Sequence, residues 1–219
     1  VGTILFNAAR AAPAGYLRCN GAAVNRATYS ALFATLVRSL TGATISIATP
    51  GVVTWAAHGL GANDPVKFTT TGALPTGITS NTTYYVVGAS VTTNTFQVSA
   101  TPGGSAINTT GTQSGTHTAI SAAYGDGDGA TTFNVPDLRG RFVRDLDDGA
   151  GRDTNRVMGS AQADDFKSHT HTSGVGFLGK DLGTAANWTV AVAGGNNTGS
   201  VGGTETRPIN VAINAFIKF

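Results

Sequence analysis

One segment near the N-terminus has the hydrophobic period of an α-helix. Asn25 or Thr28 can cap its first turn, because either side chain can accept a hydrogen bond from a free backbone N–H. In NRATYSALFATLVRSL the apolar positions repeat with helical spacing, so one face collects Tyr29, Leu32, Phe33, Leu36, Val37 and Leu40. The pattern predicts one short amphipathic helix.

The following stretch, from about Thr41 to Ser121, is patterned for strands instead. It is dense in Thr, Ser, Asn and Gly, and it loses nearly all charge except Asp64 and Lys67. Short runs rich in β-branched and aromatic residues recur at the interval of a sandwich or barrel: VVTWAA, PVKFTT, TYYVVGA and NTFQVSA. These predict a separate all-β module over residues 42–121, in which strand positions favour core packing for Trp55, Tyr84 and Tyr85.

The last stretch, RPINVAINAFIKF, alternates with period two and predicts a terminal strand. One face carries Ile209, Val211, Ile213, Ala215, Ile217 and Phe219. The apolar final residue indicates that this strand is packed. The first residues, VGTILF, lack a Met, which favours a C-terminal fragment of a longer chain.

Composition supports a mostly β protein and excludes several partner classes. Of the 219 residues, 41% are apolar and only 12% are charged, with 30 glycines, a balance typical of short strands and tight turns. The net charge of +2 comes from scattered residues, so nucleic acid is not an expected partner. No run of about 18 apolar residues and no signal pattern is present, so membrane insertion is not expected. Cys19, the single cysteine, reads as a buried thiol.

Two histidines stand close together in FKSHTHTSG. His169 and His171 are two positions apart, so on an extended strand both rings project from one face. One chain then offers two nitrogen ligands, too few to close a metal site by itself. The alternative is a pair of solvent-facing loop histidines.

Other polar groups have simpler interpretations. Asp126 and Asp128 in GDGDG lack the later ligands of a calcium loop, so a tight turn is favoured. Ser168 next to His169 lacks a nucleophile-elbow pattern, so no catalytic triad is expected. Structural ion pairs are expected within the cluster of Arg139, Arg141 and Arg144 with Asp137, Asp145, Asp147 and Asp148.

Four blocks in order resemble a known family: PAGYLRCNGAAVNRATYSALFATL, YGDGDGATTFNVPDLRGRFVR, GSAQADDFKSHTHT and GGTETRPINVAINAFIKF. They resemble the tail-collar-type, receptor-binding end of contractile-tail phage fibres and R-type bacteriocin fibres. The resemblance implies an α+β collar domain, mostly β with one short helix, made of residues 1–41 and 122–172. Residues 42–121 would be inserted into it, and residues 173–219 would form an intertwined, homotrimeric, β-rich tip.

The resemblance also implies how the two histidines find further ligands. Three chains would each present His169 and His171 toward one axis, giving six imidazoles around one transition-metal ion per trimer. Octahedral nitrogen coordination favours iron, with zinc as the alternative. The remaining fibre would lie on the N-terminal side, a fibre assembly chaperone is a further partner, and the protein would be located at the tip of a virion tail fibre.

The variable segment between the last two blocks is the candidate receptor surface. A ring can stack on a sugar while amides and charged groups bind its hydroxyls, so bacterial surface glycan such as lipopolysaccharide suits these residue types. The candidates are Trp188, Lys180, Asp181, Asn187, Asn196 and Asn197. Burial of Trp188 between strands is the alternative. The expected function is non-catalytic host attachment, against a structural tail connector or, less favoured, a polysaccharide-degrading enzyme.

Overall fold

The computed structural model describes residues 1–165, 168 and 210–219. The fold is mostly β with one short helix, as the sequence predicts. In chain order the elements are β1 Ile4–Asn7, β2 Tyr16–Arg18, β3 Ala23–Asn25, α1 Ser30–Leu36, β4 Val37–Ile45, β5 Val53–Thr54, β6 Pro65–Thr70, β7 Tyr84–Val86, a 3-10 turn Gly88–Ser90, β8 Thr95–Phe96, β9 Val98–Ser99, β10 His117–Ala122, β11 Thr132–Asn134 and β12 Asn214–Lys218.

The chain divides into two compact units. Val1–Ala161 and Val211–Phe219 form the first, which contains every element named above. Gln162–Asn210 form the second, of which the structure describes residues 162–165, 168 and 210. The fold and the pocket described below therefore belong to the first unit.

Six elements share one core and form what we call the terminal module: β1, β2, β3, α1, β11 and β12. Its sheets are antiparallel, in the orders β1-β12-β2 and β11-β3. The buried core consists of Cys19, Leu32, Val37, Phe133, Val135 and Ile217.

The terminal strand is packed, but over a shorter range than the alternation predicts. Strand β12 begins at Asn214, so Val211 and Ile213 precede it and are 81% and 51% exposed. Phe216 and Ile217 are both fully buried although they lie on opposite faces. Both faces of β12 are therefore covered at these two positions, and the predicted one-sided alternation fails there.

The helix is also shorter than its hydrophobic period predicts. It ends at Leu36, and Val37 begins a nine-residue strand, β4. Each predicted capping residue is displaced from the helix start: Tyr29 is the N-cap, without a side-chain bond, whereas Asn25 Oδ1 accepts from the N–H groups of Ala27 and Thr28. Pairing of β4 with β10 supplies long-range hydrogen bonds that outweigh a weak local helical preference.

Seven strands form a second layer, which we call the large sheet, in the order β8-β5-β4-β10-β6-β7-β9. Each predicted strand run contains a strand, but the sequence pattern did not identify β10. Trp55 and Tyr84 are 4% and 5% exposed in the core of this sheet, as expected for core packing. Tyr85 differs, because it is only half-buried and lies on the opposite face of β7.

The large sheet is entered and left by neighbouring strands. Strand β4 carries the chain into it and β10 carries the chain out, and Val37 lies opposite Ala122 at the junction. A module whose two ends lie side by side can be accommodated within another domain with little distortion of that domain. This arrangement agrees with an insertion, although the boundaries at residues 42 and 121 stay a prediction.

Candidate functional site

A pocket of about 270 Å³ lies on the outer face of the large sheet. Its floor comes from three adjacent strands, β10, β6 and β7, on which Ile120 pairs with Lys67 and Pro65 pairs with Tyr85. These side chains alternate with core residues along each strand, so they lie on the face of the sheet opposite the core.

Two turns form the walls of the pocket. One is the Gly125–Asp126 turn, and the other contains residues 157–160. Gly159 has φ +78°, and a Cβ there would lie 2.5 Å from the carbonyl oxygen of Ala123, so only glycine allows this close approach. Ser160 N donates to Val157 O at 3.1 Å, and Arg156 Nη2 donates to Ser160 O at 2.8 Å. The second wall is therefore held by its own hydrogen bonds.

One ion pair supplies the charge of the pocket. Lys67 Nζ donates to Asp126 Oδ1 at 2.8 Å, and the two side chains are 33% and 19% exposed. Arg26 fixes this turn, because its Nη2 donates to Asp126 O and its Nε donates to Thr132 O, each at 2.9 Å. The guanidinium also lies 4.8 Å over the Phe33 ring. The lining residues carry one positive and one negative charge and no net charge.

The GDGDG segment forms a tight turn, as predicted. The carboxylate of Asp128 accepts from the N–H groups of Ala130, Thr131 and Thr132 at 2.7–2.9 Å, and from the Thr131 hydroxyl. The Thr131 hydroxyl and these N–H groups hold the pKa of Asp128 far below its usual range. The carboxylate is thus occupied by its own backbone and is unsuited to hold a calcium ion.

Two predicted arginines make ion pairs. Arg139 donates from Nε to Asp137 Oδ1 at 2.8 Å and from Nη2 to Asp137 Oδ2 at 2.7 Å, and this interaction holds the pKa of Asp137 far below its usual range. Arg144 instead pairs with Asp153, at 3.7 Å. The expectation of structural ion pairs is thus confirmed for Arg139, while Arg144 pairs with an aspartate outside the predicted cluster.

A smaller pocket, of about 210 Å³, lies beside Arg18 and Arg139.

The predicted site residues lie outside the residues that the structure describes. This applies to His169 and His171 and to the receptor candidates Lys180, Asp181, Asn187, Trp188, Asn196 and Asn197. Across residues 1–165, 168 and 210–219, no cluster of three or more His, Cys, Asp or Glu side chains could hold a metal. The structure thus leaves the metal site and the receptor surface as predictions.

The two histidines within the described residues are buried structural groups. His117 bonds Thr70 Oγ1 through Nδ1 at 2.8 Å and Gln113 Oε1 through Nε2 at 3.0 Å. His58 accepts from Leu60 N at 2.9 Å and packs edge-on against the Phe96 ring. Both hold loops and strands of the large sheet together.

Sequence reasoning missed the pocket on the large sheet, although one signal points to it. Lys67 and Asp64 are the only charged residues in residues 42–121, and they behave differently. Asp64 Oδ2 accepts from Gly61 N at 2.8 Å, and burial raises its pKa. Lys67 alternates with the buried Val66 and Phe68, so it had to face away from the core. Its partner, Asp126, is 59 residues away and could not be paired with it from the pattern.

Comparison with known proteins identifies the domain. The family described as Phage Tail Collar Domain matches residues 2–39 and 104–143. These segments contain β1, β2, β3, α1, β10 and β11, and the second begins within the stretch predicted as an insertion. The two matched segments support a tail-collar-type domain in this chain.

One curated relative is the protein RhiB of Rhizobium leguminosarum bv. viciae. The two are 32% identical over 106 residues, a match that covers 40% of this chain and 48% of RhiB. The chain thus spans about half the length of this relative. No solved structure is a significant match. Among the described residues, no helix has the length and apolar character needed to cross a membrane.

Proposed function

We propose that this protein is the receptor-binding tip of a phage or phage-like tail fibre and attaches to bacterial surface glycan such as lipopolysaccharide. The collar-domain match in two segments carries this proposal, because it covers β1, β2, β3, α1 and β11 of the terminal module. Attachment requires no chemistry on the receptor, so the protein has no catalytic activity in this proposal. Several weak contacts on one particle give avidity.

A homotrimer is the assembly that we propose for it. Phe142 and Val143 are 67% and 63% exposed, close to the values for the apolar residues that precede β12. Large apolar side chains in water are a common sign of a surface that another chain covers. Phe142→Ser is expected to weaken association, measured as mass by light scattering, whereas Thr118→Ser on the large sheet leaves it unchanged. A native chain that is already monomeric contradicts the proposal.

One transition-metal ion per trimer completes this assembly in our proposal. His169 and His171 from three chains would supply six nitrogen ligands, which favours iron over zinc. Native mass spectrometry with elemental analysis is expected to give three chains and one metal ion. Changing both histidines to Ala removes the metal, while Thr170→Ala retains it. A metal-free trimer would contradict the proposed metal site, and a metal-free monomer would contradict both the metal site and the trimer.

The receptor surface that we propose is the segment that contains Trp188, with Lys180, Asp181, Asn187, Asn196 and Asn197. Fluorescently labelled protein is expected to adhere to a subset of Gram-negative strains and to immobilised lipopolysaccharide from the same strains. Trp188→Ala reduces adhesion at least tenfold, and Trp188→Phe retains most of it, because a ring still stacks on the sugar.

Two outcomes would replace this function with another. Absence of adhesion to every strain favours a structural connector within a tail. Release of reducing ends from lipopolysaccharide or capsule favours a polysaccharide-degrading enzyme.

A further inference from the structure

We propose that the pocket formed by the outer face of the large sheet, the Gly125–Asp126 turn and the turn of residues 157–160 binds one neutral sugar residue. The pocket combines an apolar face with an ion pair and hydroxyl groups, and this mixture suits a pyranose ring, which has both C–H and O–H groups. This proposal rests on the proposed attachment to glycan, and it adds a second contact, in the described part of the chain.

The apolar face comes from the outward side of three strands. Tyr85 and Pro65 lie opposite each other on β7 and β6, and Ile120 lies on the neighbouring β10. Tyr85 is half-buried while Tyr84 and Val86 on either side are in the core. An aromatic ring held in this way can stack on the C–H face of a sugar at little cost in conformational entropy.

The polar side of the pocket has unused hydrogen-bonding capacity. Lys67 Nζ has three donors and uses one of them on Asp126 Oδ1, at 2.8 Å. Among the described residues, the hydroxyl groups of Tyr85 and Thr83 make no hydrogen bond to another side chain or to the backbone. These groups lie at one pocket and can bind the vicinal hydroxyls of a sugar.

The charges favour a neutral ligand. The charges of Lys67 and Asp126 cancel, and no other charged residue lines the pocket within the described part of the chain. A phosphate or a uronate would compete with Asp126 for Lys67 and leave a carboxylate beside an anion, which is unfavourable. A purely apolar ligand would cover the ion pair without replacing its contact with water. A polyhydroxylated neutral group avoids both costs.

The size of the pocket limits the ligand to one ring. Its volume of about 270 Å³ is just below the roughly 300–1,000 Å³ of pockets for drug-sized molecules. Gly159 lets the turn of residues 157–160 lie close to Ala123, and this turn bounds one side of the pocket. A terminal or branch sugar is therefore the expected ligand.

Saturation-transfer NMR on the purified chain tests this pocket without cells. The probes are the methyl glycosides of glucose, galactose, mannose and N-acetylglucosamine, with glucuronate as the anionic comparison. At least one neutral glycoside is expected to bind. Tyr85→Ala weakens this binding about tenfold, which corresponds to about 1.4 kcal/mol, and Tyr85→Phe stays within about threefold of the wild type.

Two further variants separate the chemistry of the pocket from its fold. Asp126→Asn keeps the shape and removes the carboxylate, so it is expected to weaken glycoside binding about fivefold or more. Thr69→Ala is the matched control, because Thr69 lies on the same outer face of β6 but outside the pocket. It leaves binding unchanged. Circular dichroism and the melting temperature confirm that each variant is folded.

The results distinguish this proposal from the attachment function. If no glycoside binds, if Tyr85→Ala binds as the wild type does, or if glucuronate binds more than tenfold better than glucose, the pocket assignment is wrong even when cells are bound. If a glycoside binds through Tyr85 but the protein adheres to no strain, the pocket assignment stands and the attachment function is wrong.

Discussion

Two aspartates only two positions apart illustrate how neighbouring residues take different roles. Asp128 turns its carboxylate back onto the backbone of its own loop, whereas Asp126 turns away from that loop to reach Lys67 on β6. The first interaction is local and can be inferred from a Gly-Asp turn. The second joins residues 59 positions apart and depends on how the large sheet packs beside the turn.

The carboxylate of Asp128 makes the stability of its turn sensitive to acid. Its pKa is lowered in the folded chain, so its contribution is present above the unfolded value of about 3.9 and is lost as the pH falls below it. Asp128→Asn is expected to lower the melting temperature at pH 7, and the difference narrows below about pH 4. Thermal melts from pH 7 to pH 2 test this, and a difference that is constant with pH contradicts it.

Cys19 is expected to be inert in the folded protein. Its side chain is 2% exposed, and burial raises the pKa of the thiol to about 11. At pH 8 a thiol reagent should react with the native chain at least about a hundredfold more slowly than with the chain in urea. Because Cys19 is the only cysteine, the signal has one source. Equal rates in both states would show that the thiol is accessible.

At the scale of elements, the boundary between α1 and β4 is decided by pairing partners. The hydrophobic period continues to Leu40, but β4 begins at Val37, opposite Ala122 of β10. The register between β4 and β10 shifts near the end of this pairing: Thr118 lies opposite Thr41, but His117 lies opposite Ala43. Gly42, with φ +88°, is the extra residue of this bulge.

At position 42 the backbone conformation alone is expected to disfavour residues other than glycine. A Cβ at this position would meet no atom within 4 Å, so only the positive φ opposes a side chain. Gly42→Ala lowers the free energy of unfolding by about 1–2 kcal/mol, and Gly42→Asn lowers it by less, because Asn tolerates positive φ. Urea denaturation of the three proteins measures this. Equal losses in both variants would point to a steric cause.

At the scale of the whole molecule, two cores coexist in one compact unit. The core of the large sheet contains Phe68 and Phe96, and the terminal module contains Phe133 and Ile217 in a separate cluster. Residues between β4 and β10 contribute to the first cluster. The second is assembled from both ends of the chain, with β12 inserted between β1 and β2. Because the two cores are separate, we expect the terminal module to fold without most of the large sheet.

Replacing residues 41–118 by Asn-Gly joins two residues, Leu40 and Ala119, that lie opposite each other in the sheet. The shortened protein is expected to fold with the terminal module intact, because that core receives few side chains from the deleted part. Circular dichroism and a cooperative melt test this. The deletion also removes Lys67 and Tyr85, so glycoside binding at the pocket is lost while adhesion through the Trp188 segment is retained. A shortened chain without a cooperative melt would show that the two cores depend on each other.

Local patterns determined much of this protein, because period-two runs, Gly-Asp turns and one amphipathic stretch each depend on neighbours in sequence. They predicted the mostly β class, strands β5 to β9 of the large sheet, the buried Cys19 and the turn at Asp128. Four blocks in order also predicted the tail-collar-type domain, which the family match supports. Tertiary structure decided the end of α1, the burial of Phe216 as well as Ile217, and the meeting of Lys67 with Asp126. Each of these depends on which distant strand or turn lies alongside, and no pattern within one segment contains that information.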